Sequence, residues 1–239
     1  MRVIEFSREA PWIEAALGEF RAAHSAAREE GRASLSLCLA GGLTPETVYR
    51  AMAALSLRGT LVELWLGDER AVGSGDAARN GGMVERAFAG CAWEPRPRIR
   101  LWPSTETEAE AEAACSAYAA ELRSSLGAEP SFDLALLGLG ADGHTASVFP
   151  GSPETAPRLP GTRPAASEGE ERIAYVSISP RPPFTRMTLS LALIRRARRR
   201  VFLVRGADKL PALRALEAED PSIPASSLSG PGALALFCR

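Results

Sequence analysis

Apolar residues recur along this chain in two alternating rhythms. Residues 10–30 carry Trp12, Ala16, Phe20 and Ala23 at helical spacing and are closed by Gly31, which predicts a helix. Residues 34–39 form a short apolar run and predict a buried strand. The alternation continues with helices predicted over 45–55, 82–88, 106–126 and 208–217. Strands are predicted over 61–66, 98–102, 132–137, 173–179, 187–191, 200–204 and 233–237. Strand followed by helix, repeated, predicts an α/β fold with a largely parallel sheet. Residues 150–170 are rich in Pro, Gly, Ser and Glu and read as a surface excursion. No internal repeat and no linker between two cores breaks the pattern, so one domain over 1–239 is expected.

Composition narrows the setting. The 239 residues are 46% hydrophobic and 24% charged, ordinary for a globular chain with a sizeable core. Met1 to Phe6 already contains Arg2 and Glu5 and does not read as a secretory leader. No apolar run approaches the roughly 20 residues of a membrane span. A cytoplasmic protein without a membrane partner is expected. Cys38, Cys91, Cys115 and Cys238 form no close pair, which predicts buried thiols rather than a metal or redox site. The net charge of −1 gives no overall field for nucleic acid. The run Arg195, Arg196, Arg198, Arg199, Arg200 has no interleaved aromatic residues and reads as a solvated face. Among the 28 cationic residues a single one is lysine, Lys209, and the only histidines are His24 and His144. Lysine is a compact, mobile point charge where arginine is a planar fork.

Ligands of parallel sheets bind at the carboxyl ends of the strands, so the strand-to-helix loops are the places to search. The first is Ala40-Gly41-Gly42-Leu43-Thr44-Pro45. Its glycines allow close backbone approach, Thr44 is a good N-cap, and Pro45 suits the first helical position. That predicts a helix N-terminus suited to an anion, or simply a capped tight turn. The second loop is Gly67-Asp68-Glu69-Arg70. Asp68 and Arg70 there are candidates for binding hydroxyls and phosphate, against a solvated turn with a local ion pair. The third runs from Gly138 to Ser147 and formally contains GxGxxG. A dinucleotide site needs a helix to follow, and Phe149-Pro150-Gly151-Ser152-Pro153 breaks one. The glycines instead present His144 at the expected start of a short helix. An electropositive helix end disfavours imidazolium, leaving a neutral ring able to take a proton from water. The plainer alternative is a hydrogen-bonded surface histidine. Lys209 lies in the next such loop, as a phosphate anchor or as a solvated helix-start lysine.

Read in order, LAGGLTP, LWLGDER, FDLALLGLGADGHTASVFPG, SPRPPFTRMTLSL, FLVRGADK and IPAS resemble the 6-phosphogluconolactonase family, from about residue 35 onward. The resemblance implies a Rossmann-like three-layer α/β sandwich like that of glucosamine-6-phosphate deaminase. It implies hydrolysis of a phosphorylated sugar lactone, 6-phospho-D-glucono-1,5-lactone, in the pentose phosphate pathway, with no metal and no cofactor. His144 would be the catalytic base and Asp68 would act beside the substrate. Gly41, Gly42, Thr44, Arg70 and Asp142 would line the sugar-phosphate site. Arg186, expected just before a strand, and Lys209 would bind phosphate. Leu43 stands where the family often has Ser, Arg79-Asn80 replaces Ser-Asn, and Arg181 replaces Lys. The stretch after Arg70 lacks the usual Val-Pro. Contacts around Leu43 and Arg181 are therefore open. A monomer or weak homo-oligomer is expected. Two rivals remain: a glucosamine-6-phosphate deaminase, which would need an acid where Phe149 stands, and a non-catalytic sugar-phosphate sensor.

Overall fold

A strand whose consecutive residues are all apolar has to be covered on both faces. In the computed structural model, which describes residues 1–152 and 172–239, that requirement organises the fold. The excursion expected at 150–170 lies, beyond Ser152, outside the described residues. The elements in chain order are β1 (Arg2–Phe6), α1 (Glu9–Glu29), β2 (Ser34–Leu39), α2 (Leu43–Ala53), β3 (Leu61–Leu66), β4 (Asp68–Arg70), α3 (Asn80–Phe88) and β5 (Arg98–Arg100). Then come α4 (Glu108–Leu126), β6 (Leu134–Leu137), β7 (Ala174–Ile178), β8 (Thr185–Leu189), α5 (Leu191–Arg195), β9 (Arg199–Arg205), α6 (Leu210–Glu217) and β10 (Ala233–Cys238). Short 3-10 turns occupy Ala207–Lys209 and Pro224–Leu228.

Seven strands form one sheet in the order β1-β10-β9-β6-β2-β3-β5, and every neighbouring pair is parallel. Helices flank it, so the expected α/β fold with a mostly parallel sheet is present. From β2 the chain steps outward through β3 to β5, then returns to β6 on the other side of β2 and steps outward through β9 to β10. The strand order therefore reverses between β2 and β6, and a crevice opens at their carboxyl ends. A second, three-stranded antiparallel sheet, β4-β8-β7, packs beside α4.

The core next to that crevice is aromatic. Trp102 and Tyr118 stack with centroids 4.0 Å apart. The Trp102 indole donates to the Leu66 carbonyl at 2.9 Å, and the Leu66 amide donates to the Tyr118 hydroxyl at 2.9 Å. Buried aromatic polar atoms need partners, and here they pin the end of β3, from which Asp68 follows. At the start of α4, Thr107 accepts from the Glu110 amide at 3.2 Å while the Glu110 carboxylate accepts from the Thr107 amide at 3.1 Å, a reciprocal cap.

Three expectations are corrected, and one element is added: Arg2–Phe6, given no element from sequence, is the edge strand β1, held by parallel pairing to β10. Asp68–Arg70, read as loop, is β4, because β8 offers it a ladder. The strand expected at 187–191 runs over Thr185–Leu189, which puts Arg186 inside it rather than before it. The basic run is not uniformly solvated. Arg200 is buried and donates to the carbonyls of Arg195, Ala197, Leu228 and Pro231, while Arg198 pairs with Glu30 and Asp133.

Candidate active site

Three loops enter the crevice at the β2/β6 reversal. The first follows β2. Its helix begins one residue earlier than the sequence suggests: Leu43 is the first helical residue, Gly42 is the N-cap, and Thr44 lies inside the first turn. Thr44 is therefore not the cap, and no side chain caps α2. Its first-turn amides are left for an anion to satisfy. The Tyr49 hydroxyl holds the loop from behind by donating to the Ala40 carbonyl at 2.9 Å. Gly41 is packed so closely on the Asn80 side-chain amide that a Cβ would overlap it.

The second segment is β4. Alternation along it separates Asp68 and Arg70, which line the crevice, from Glu69, which is fully buried. Glu69 accepts from the amides of Asn80 at 2.7 Å, Gly81 at 2.8 Å and Arg70 at 2.8 Å, and faces Arg79 at 3.8 Å. It thus caps α3, which has no side-chain cap of its own. Burial pushes the Glu69 carboxyl up, even against those three amides and Arg79. The solvated turn weighed from sequence does not form. Asn80, presented by α3, donates to the Asp68 carbonyl at 3.0 Å, and the Ser147 hydroxyl donates to the Asp68 carboxylate at 2.6 Å.

The third loop follows β6. The short helix expected after His144 is absent: residues 141–150 form turns, with an isolated bridge between Thr145 and Val148. The helix-end argument for a neutral imidazole therefore falls. A hydrogen bond takes its place as the orienting device. His144 Nδ1 lies 2.5 Å from Asp142 Oδ1, and the same oxygen accepts from the His144 amide at 3.1 Å. With Nδ1–H given to Asp142, Nε2 carries the lone pair. Burial acts to push the Asp142 carboxyl up, but the His144 charge and hydrogen bonds outweigh it and hold it below its ordinary value. The turn depends on Gly143, at φ +83° and packed against Ile223, where a Cβ would both be strained and collide. The loop is bolted to the second sheet: the Ser147 amide donates to Thr188 Oγ1 at 3.2 Å, and the Ser177 hydroxyl donates to the Ser147 carbonyl.

Gly41, Gly42, Thr44, Asp68, Arg70, His144 and Lys209 all line one cavity of about 210 Å³. Two expected residues lie off its wall. Asp142, half-exposed, meets the imidazole at Nδ1, and Arg186, 7% exposed, stands opposite Arg70 in the β4–β8 ladder. Burial, then repulsion from Arg70, lowers the Arg186 pKa, while Asp68 and Glu69 act to raise it. Asn80, Arg205 and Thr145 also line the cavity and were not singled out from sequence. Arg205 was legible in principle, as a charge ending an apolar strand. The four cysteines are free and buried, and burial pushes the Cys115 thiol up to about 12. Among the described residues no group of three His, Cys, Asp or Glu side chains is arranged to hold a metal ion.

A family model of glucosamine-6-phosphate isomerases and 6-phosphogluconolactonases matches residues 9–236. Among similar proteins, a 6-phosphogluconolactonase of Synechocystis is 34% identical over 83% of this chain and 79% of its own length. One from Streptomyces coelicolor is 33% identical over 77% and 71%, and one from Mycobacterium tuberculosis 30% over 95% and 91%. Among solved structures, 6-phosphogluconolactonase from Leishmania guyanensis is 26% identical with a TM-score of 0.76, covering 99% of this chain and 96% of that one. The Thermotoga maritima 6-phosphogluconolactonase shares the fold at a TM-score of 0.78, with 24% identity and 99% coverage of both chains.

Proposed function

This chain belongs to the family of glucosamine-6-phosphate isomerases and 6-phosphogluconolactonases, and from that premise we propose how it hydrolyses 6-phospho-D-glucono-1,5-lactone to 6-phospho-D-gluconate. His144 takes a proton from a water molecule through Nε2, and the resulting hydroxide attacks C1 of the lactone. Asp142 keeps Nδ1 protonated and stabilises the imidazolium that forms. The imidazolium then returns its proton to the ring oxygen as the C1–O5 bond breaks, giving the open-chain acid. A lactone is an activated ester, so a base, an oriented water and a held ring suffice. The α2 amides, Lys209 and Arg70 supply the positive field that holds the phosphate and meets charge developing on the carbonyl oxygen. Asp68, fixed by Ser147 and Asn80, is placed to accept from sugar hydroxyls.

The observation that carries this reading is the pairing of His144 with Asp142 beside the cavity that also holds the glycine loop and Lys209. Phe149, its ring centred 4.8 Å from the imidazole, stands where a deaminase would need an acid. The test is lactone decay followed against the buffer rate. His144→Ala should lower turnover by about 10²–10⁴-fold, and near-normal turnover would remove His144 from the mechanism. Phosphate-dependent stabilisation with no acceleration by the wild type would favour a sensor instead.

No described helix is long and apolar enough to cross a membrane. We place the enzyme in the cytoplasm, as one unit over 1–239 and as a monomer or weak homo-oligomer. A light-scattering mass above that of a dimer would overturn the last point.

A further inference from the structure

We infer that Arg205 is a phosphate-binding residue that tightens the grip of this enzyme on its phosphorylated lactone. The inference rests on the lactonase reading above and assigns a role to a residue which that mechanism leaves unused.

Arg205 is the last residue of β9, so it stands at the carboxyl edge of the sheet where the crevice opens. The 3-10 turn Ala207–Lys209 follows and brings Lys209 to the same cavity, so one strand end delivers two cations. Beyond the inner cavity of about 210 Å³ lies an outer hollow of about 460 Å³. The residues lining both are Leu43, Thr44 and Arg205, so the mouth of the site runs between the uncapped start of α2 and the Arg205 guanidinium. His144 belongs to the inner cavity alone. The uncapped start of α2 and Lys209, which hold the phosphate in the reading above, line the same cavity as Arg205.

The Arg205 fork is already oriented. Its Nη1 meets Glu9 Oε1, in the first turn of α1, at 2.5 Å. That contact uses one of five N–H groups and leaves the rest for an oxyanion. As a half-exposed ion pair it adds little to stability. Its position at the mouth is what gives it a use. Unlike Lys209, whose Nζ lies 3.4 Å from Asp208, an arginine offers two parallel N–H groups to two phosphate oxygens.

The test compares wild type, Arg205→Ala and Arg205→Lys in two measurements. In steady-state hydrolysis of 6-phosphogluconolactone, Arg205→Ala should raise KM by about tenfold to a hundredfold, the range expected for a charge-assisted hydrogen bond. Its kcat should stay within about twofold of wild type, and Arg205→Lys should recover part of the loss. In thermal melts, inorganic phosphate should raise the Tm of wild type and raise that of Arg205→Ala much less, with similar Tm values in its absence. An unchanged KM, or a fall in kcat alone, overturns the inference. A wild type that does not accelerate lactone decay overturns the lactonase reading. The phosphate melts then decide on Arg205 by themselves, an equal shift in both proteins sinking the assignment.

Discussion

The imidazole of His144 is gripped at one nitrogen and offered at the other. Asp142→Asn keeps the side-chain shape but removes the strong acceptor, so the ring is free to take the wrong tautomer. We expect kcat to fall at least about tenfold, measured on the phosphorylated lactone, with KM little changed. The same substitution has a pH signature. The Asp142 carboxyl is held below its ordinary value in the folded state, so the folded protein binds that proton less readily than the unfolded chain. Its stabilising contribution is complete above the ordinary aspartate value near about 3.9 and is lost as pH falls through the lower folded value. The stability deficit of Asp142→Asn, read from urea midpoints, should therefore shrink as the pH falls below that ordinary value. Gly41→Ala should push aside the Asn80 amide that supports Asp68, and cut kcat/KM about tenfold or more with the fold intact by circular dichroism. Much of this scale was legible in sequence. His144 and Lys209 drew notice because each type is scarce, and both line the cavity. Arg205 was passed over because arginine is abundant, although its place at the end of an apolar strand marks it. The partnership of Asp142 with His144 was hidden because it depends on a turn that no periodicity reports.

At the scale of elements, caps and ladders decide what the pattern leaves open. Helices α1 and α4 and strands β2, β3 and β6 follow from apolar spacing alone, and sequence placed them within a residue or two. The second sheet did not follow. Asp68–Arg70 is three residues long, and its partner β8 lies more than a hundred positions away, so nothing local marks it as a strand. Glu69 shows what that strand accomplishes. Replacing it with alanine strips three amides of their acceptor and leaves Arg79 buried without its carboxylate. A loss of about 3 kcal/mol or more in urea unfolding is expected, together with reduced activity, because α3 carries Asn80. Thr107→Ala makes a useful contrast. It removes one half of a helix cap far from the chemistry, and should cost about 1 kcal/mol with kcat unchanged.

Across the whole molecule, the reversal of strand order places the glycine loop after β2 beside the histidine loop after β6, while β9 delivers the cations from the next strand along. The sequence could announce parallel strands but not their order, because order is set by which crossovers pack best over long separations. One feature of that order bears on how the protein is made. In the described sheet β1 pairs with β10 alone, and Trp12 of α1 donates to the Leu236 carbonyl at 2.9 Å. Arg2–Phe6 is synthesised more than two hundred residues ahead of its partner and has no ladder to join until Ala233–Cys238 has followed. Nascent chains stalled before position 233 should exchange the β1 amides freely, while amides of β2 and β3 are already protected. Closure of this edge thus waits on the synthesis of β10, and a chaperone shielding the unpaired strand would have its opportunity in that interval.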